Sequence, residues 1–116
     1  MKVKYHFRER RLLSLEEAVR LLTSAQADAF GLKERGRIEP GAIADIVVFN
    51  PATIATGPIG MRDDLPGGEA RLYADAVGVH QVIVNGIPVA TDNRPTGRKA
   101  GRVLRSGRDT YTVSLN

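Results

Sequence analysis

The sequence predicts an α+β fold that is mainly β, with one N-terminal amphipathic helix followed by strands. Three observations predict it. A helix-capping pair opens "SLEEAVRLLTSAQADAFG", a continuous apolar run "IVVF" stands behind a Pro-Gly turn, and Asn85-Gly86 divides two apolar arms. The 116 residues are expected to form a single domain with one modest core, and they are too few for a TIM barrel.

Residues 1–13 read as a basic lead-in, with Lys2, Lys4, Arg8, Arg10 and Arg11 against Glu9 alone. The helix is expected over 14–31. Ser14 is the N-cap and Glu17, three residues on, completes a reciprocal capping pair. Glu16 and Glu17 suit the positive end of the helix dipole. Leu15, Ala18, Val19, Leu22, Ala25, Ala29 and Phe30 recur at three- and four-residue steps and form one apolar stripe. Gly31 stands where a left-handed capping residue is wanted.

Residues 36–50 are turn and strand. Pro40 and Gly41 suit the two centres of a type II turn. Ile46, Val47, Val48 and Phe49 are continuously apolar, so both faces of the strand demand cover. Residues 51–78 carry Gly57-Pro58, Pro66, Gly67 and Gly68 and read as a long loop, with a short helical turn around "GEARLYADA". Residues 79–116 are hairpin and tail. Asn85-Gly86 accepts the positive φ of a type I′ turn. Pro88 lacks a ladder donor, which predicts that the second arm lies at a sheet edge. "RVLRS" is a candidate for a further strand, and "DTYTVSLN" alternates weakly.

Composition narrows the chemistry. There is no cysteine, which excludes disulfides and thiolate metal sites. The start lacks a secretory apolar run and no segment approaches a membrane span, so a cytoplasmic protein is expected. The net charge of +4 is concentrated at the two ends, Arg94, Arg98, Lys99, Arg102, Arg105 and Arg108 crowding the second. Basic ends attract nucleic acid through counterion release. With no Trp and no aromatics interleaved among the bases, nucleic acid is the disfavoured partner and a solvated Arg surface the favoured one.

No catalytic constellation is visible. His6 and His80 stand far apart in sequence, with no zinc-ligand spacing. Ser14 is spent on capping; Ser24, Ser106 and Ser114 have no nearby base and no nucleophile-elbow motif. Asp63 and Asp64 read as solvated loop acids, and Asp45 as a residue that hydrogen-bonds a turn amide. No catalytic, cofactor-binding or metal-binding residue is assigned.

Taken together, "LLSLEEAVRLLTSAQADAFGLKERGRIEPGAIADIVVFNPATI" and "VHQVIVNGIPVATDNRPTGRKAGRVLR" resemble the C-terminal end of amidohydrolase-superfamily enzymes of the N-acyl-D-amino-acid deacylase branch. The resemblance implies a helix from the barrel layer followed by part of a small composite β-sandwich. It also implies that the zinc and the acid/base aspartate of such an enzyme sit in its (β/α)₈ barrel, so none is expected in this chain. The chain is then a structural fragment, inactive alone, whose start at Met1 suggests a truncated product or cloned domain. Its expected partners are further copies of itself or an amidohydrolase barrel domain. The alternatives are a small module binding nucleic acid or anions through Arg98, Lys99 and Arg102, and a subunit completing a split amidohydrolase.

Overall fold

A computed structural model describes residues 12–114 of the chain; His6 and most of the basic lead-in lie outside the described residues. The order is α1 (Leu15–Leu22), α2 (Ser24–Ala29), β1 (Ile46–Phe49), β2 (Ala55–Thr56), β3 (Gly60–Arg62), β4 (Arg71–Tyr73), β5 (Ala76–Val77), β6 (Val79–Val84), β7 (Ile87–Thr91) and β8 (Arg94–Pro95). One helical segment followed by strands is the fold class the sequence predicts, and the described residues form no barrel.

The helix starts as its capping chemistry requires. Ser14 Oγ accepts the Glu17 N–H at 3.1 Å. The Glu17 carboxylate does not return the favour to Ser14; it takes a two-pronged bond from Arg20 at 2.7 and 2.8 Å, a better partner one turn along. Continuity to residue 31 is not observed. Thr23 breaks the helix with φ −124° and ψ −89°, its hydroxyl turned back on the Val19 carbonyl at 2.8 Å. The break re-aims the second half, so that Ala27, outside the predicted stripe, is buried while Ala29 and Phe30 are exposed. The exit is a complete Schellman motif. Gly31 N–H reaches Asp28 C=O at 3.1 Å and Leu32 N–H reaches Ala27 C=O at 2.8 Å, with Gly31 at φ +63°.

The four-stranded antiparallel sheet has the order β1-β6-β7-β8. The Pro40-Gly41 turn closes with Ala42 N–H on Glu39 C=O at 3.1 Å. Asn85 (φ +50°) and Gly86 (φ +76°) form the tight turn joining β6 to β7. Pro88 predicts an edge, yet β7 lies inside the sheet. Two features reconcile this. The register jumps from Ile83↔Pro88 to Val82↔Ala90, a bulge at Val89, and β8 pairs only with Ala90 and Thr91, leaving Pro88 beyond its ladder.

Three further expectations are corrected. Residues 51–78 are not a loop with a helical turn but an antiparallel arm: β2 pairs with β5, β3 pairs with β4, and Pro66–Gly68 makes a single 3₁₀ turn at the tip. "GEARLYADA" is extended because its Arg71–Tyr73 pairs edge to edge with Gly60–Arg62, and Arg71 also bonds Asp64 across the arm at 2.6 and 2.7 Å. "RVLRS" adds no strand. The Asp109 carboxylate takes the Arg105 N–H at 2.8 Å and the Asp109 N–H reaches Arg105 C=O at 2.9 Å, curling that segment into a turn. Beyond it, Thr110 makes one isolated bridge to Leu32 in place of the alternating strand.

The core is small. Among the described residues the buried apolar side chains are Ala18, Ala27 and Ile54. No described helix is long and apolar enough to cross a membrane.

Candidate functional site

A cleft of about 1070 Å³ opens between α1, one face of the sheet and the base of the arm. Strand alternation builds its floor. Val47 and Phe49, two apart on β1, face it together with their register partners Val82 and Val79 on β6. Val19 and Leu22, three apart on α1, form the facing wall. Both remain exposed in the chain, as does Val47. The demand of "IVVF" for cover on two faces is therefore not met by the described residues.

Arg62, Tyr73, Asp75 and Asn93 sit on the rim and are already engaged, and Arg94 stands beside them. The Arg62 guanidinium lies 3.3 Å from the centre of the Tyr73 ring and 3.5 Å from the Asp75 carboxylate. Asn93 Oδ1 accepts the Val79 N–H at 3.1 Å. The arrangement suits burial of apolar side chains rather than acid–base work. Sequence reasoning did not find this rim, because Arg62, Tyr73 and Asp75 meet only through the pairing of the arm.

Asp45 does bond a turn amide, and the turn is the distant β6–β7 one. Its Oδ1 accepts the Asn85 N–H at 2.9 Å while its Oδ2 pairs with Arg35 Nη1. Arg35 Nη2 reaches Asn85 Oδ1 at 3.3 Å, and the Asn85 side-chain amide donates to the Ala100 carbonyl. One node thus ties the segment after the helices, the start of β1, the hairpin tip and the C-terminal segment.

The remaining candidate residues stay apart. His80 is exposed at the bulge of β6 opposite β1, with Nδ1 3.5 Å from Asp92 Oδ1. The Arg71 guanidinium holds the Asp64 carboxyl below the usual carboxylate range. In the Arg-rich end, Asp109 takes bonds from Arg108 at 3.0 and 2.8 Å and lies 3.8 Å from Arg102. Arg108 and the Arg105 backbone amide pull its carboxyl down to about 2. Zinc needs three or four convergent donors. No group of three or more His, Cys, Asp or Glu gathers to hold a metal among the described residues, so the donor set does not fit zinc.

Comparison with known proteins adds lineage to this geometry. Residues 1–90 match the model of the amidohydrolase family. The chain is 41% identical over 100 residues to a D-aminoacylase of Alcaligenes xylosoxydans xylosoxydans, covering 86% of this chain and 19% of that protein. An N-acyl-D-glutamate deacylase of the same organism is 40% identical over 86% of this chain and 18% of its own length. An N-acyl-D-aspartate deacylase there is 37% identical over the same shares. A crystal structure of D-aminoacylase, described as defining a novel subset of amidohydrolases, superposes with a TM-score of 0.66 at 41% identity, over 85% of this chain and 19% of that one. The chain spans about a fifth of the length of the curated relatives it matches.

Proposed function

The chain belongs to the amidohydrolase family, and from that premise we propose that it is a scaffold portion of an enzyme hydrolysing the amide bond of N-acyl-D-amino acids. In this reading the chain shapes and supports a barrel that performs the reaction, contributed by the same polypeptide or by a separate one. Residues of that barrel would hold the zinc, which would supply Lewis acidity and hydroxide for the hydrolysis. The residues of this chain supply apolar surface, a sheet edge and the Arg35–Asp45–Asn85 node.

The observation that carries the reading is the cleft. Its floor and wall are apolar, Arg62 and Asp75 on its rim pair with each other, and three buried apolar side chains among the described residues are few for a self-sufficient core. Identity of 37–41% to three deacylases of N-acyl-D-amino acids or D-aminoacylase type supports the substrate class. The test is an assay of the 116-residue chain on N-acetyl-D-amino acids after equilibration with zinc and dialysis. The proposal expects no turnover and no retained stoichiometric metal. Turnover accompanied by one zinc per chain would overturn it.

A further inference from the structure

The sequence places a single Asn directly before a Gly, and that pair, Asn85-Gly86, forms the β6–β7 turn. Asn is chemically labile because the next residue's main-chain nitrogen, once deprotonated, can attack the side-chain carbonyl. Glycine, with no Cβ, hinders that attack least. A bond forms between Gly86 N and Asn85 Cγ, the Cγ–Nδ2 bond breaks, and the amide nitrogen takes up a proton and leaves as ammonia. Water then opens the five-membered imide at either carbonyl, leaving an aspartate or an isoaspartate at position 85.

Every atom of that reaction is held. The Gly86 N–H, the nucleophile's proton, is donated to the Ala44 carbonyl at 2.9 Å. The Asn85 N–H goes to Asp45 Oδ1 at 2.9 Å, so adjacent residues of one segment hold both amides of the turn. The Asn85 side chain is pinned at both ends, Oδ1 by Arg35 Nη2 at 3.3 Å and Nδ2 by the Ala100 carbonyl. The Val84↔Ile87 pair closes the turn around φ values of +50° and +76°. Arg35 would stabilise the oxyanion if attack occurred, so release of the turn from Ala44 and Asp45 is the step that opens the reaction. We propose that Asn85-Gly86 is a self-modification site kept latched by Ala44-Asp45, and that its deamidation uncouples the hairpin tip from the C-terminal segment. A carboxylate at position 85 has no proton to donate to the Ala100 carbonyl, and it sets a second negative charge beside Asp45. An isoaspartate also lengthens the main chain within a turn that admits two residues. All groups involved belong to this chain, so the inference is independent of what covers the chain elsewhere and of the deacylase reading.

The test incubates the 116-residue chain at mildly alkaline pH and follows deamidation at Asn85 by peptide mass spectrometry. In buffer it should run at least about tenfold slower than in concentrated urea, because reaction waits on local opening. Asp45→Ala should raise the rate in buffer about tenfold. Ile54→Ala, which loosens the fold away from the turn, should raise it far less. Asn85→Asp, which reproduces one product, should speed tryptic cleavage after Lys99, next to the released Ala100, and leave cleavage after Arg71 in the arm unchanged. Equal rates in buffer and urea, equal acceleration by Asp45→Ala and Ile54→Ala, or cleavage after Lys99 that is unchanged or rises together with that after Arg71 would each overturn the proposal. If Asp45→Ala fails to fold, the comparison of buffer with urea and the tryptic pattern decide the matter.

Discussion

Replacing Asp45 removes two interactions at once, and their sizes can be worked from the node. The Asn85 N–H at the hairpin tip loses its acceptor at 2.9 Å, and Arg35 keeps only the 3.3 Å contact to Asn85 Oδ1. A fully exposed ion pair contributes about 0–1 kcal/mol, and breaking a buried one costs about 3–5 kcal/mol. The side chains of Arg35 and Asp45 are 11% and 31% exposed, which places this pair between those limits. With the hydrogen bond to the turn amide included, Asp45→Ala should cost about 2–3 kcal/mol. Asp45→Asn keeps an acceptor for the amide and loses only the charge, so it should cost roughly half as much. Urea titration followed by circular dichroism measures both, and amide exchange at Asn85 reports the tip directly. Loss of less than about 0.5 kcal/mol in Asp45→Ala, or equal losses in the two variants, would refute the account of the node.

Other substitutions probe the rest of the fold. Ile54→Ala empties one of the few enclosed apolar positions and should cost about 2–4 kcal/mol, read as a lowered thermal midpoint. Gly31→Ala would place a Cβ 2.3 Å from the Tyr111 carbonyl oxygen in a left-handed conformation, so it should destabilise by more than about 1 kcal/mol in the same melt and detach the C-terminal segment. The Asp109 carboxyl, held at about 2 by Arg108 and the Arg105 amide against an ordinary value of 3.8, contributes stability that is fully present above its unfolded value. That contribution should disappear as pH falls from about 4 to 2, and Asp109→Asn should remove this part of an acid titration. Single-stranded oligonucleotides should show no mobility shift with the chain at about 150 mM salt; a shift lost on neutralising Arg98, Lys99 and Arg102 would favour the nucleic-acid alternative.

Local chemistry was legible in the sequence. Ser14, Gly31, Pro40-Gly41 and Asn85-Gly86 each serve their own few residues, and each stands where its side chain or φ requirement predicts. What escaped depended on partners distant along the chain. Thr23 breaks the helix by a side-chain bond that periodicity does not register. The arm reads as a loop because its strands are only two or three residues long and meet partners, Arg71–Asp64 and Arg62–Tyr73 among them, that composition does not announce. Pro88 misleads for the same reason, since the bulge at Val89 belongs to the pairing and not to the residue. The cleft was legible only as a demand. "IVVF" requires cover on two faces, and the described residues leave Val47 and Val48 exposed.

The central claim is that this chain supplies surface to a reaction carried out elsewhere, and reconstitution tests it most directly. A D-aminoacylase truncated to lack the matching fifth of its length would be mixed with the 116-residue chain, and hydrolysis of an N-acetyl-D-amino acid followed. The account predicts no turnover from either component alone, turnover on mixing, and weaker recovery when Val47→Asp is placed in the cleft floor. Turnover by the chain without the barrel, or recovery indifferent to Val47→Asp, would contradict it.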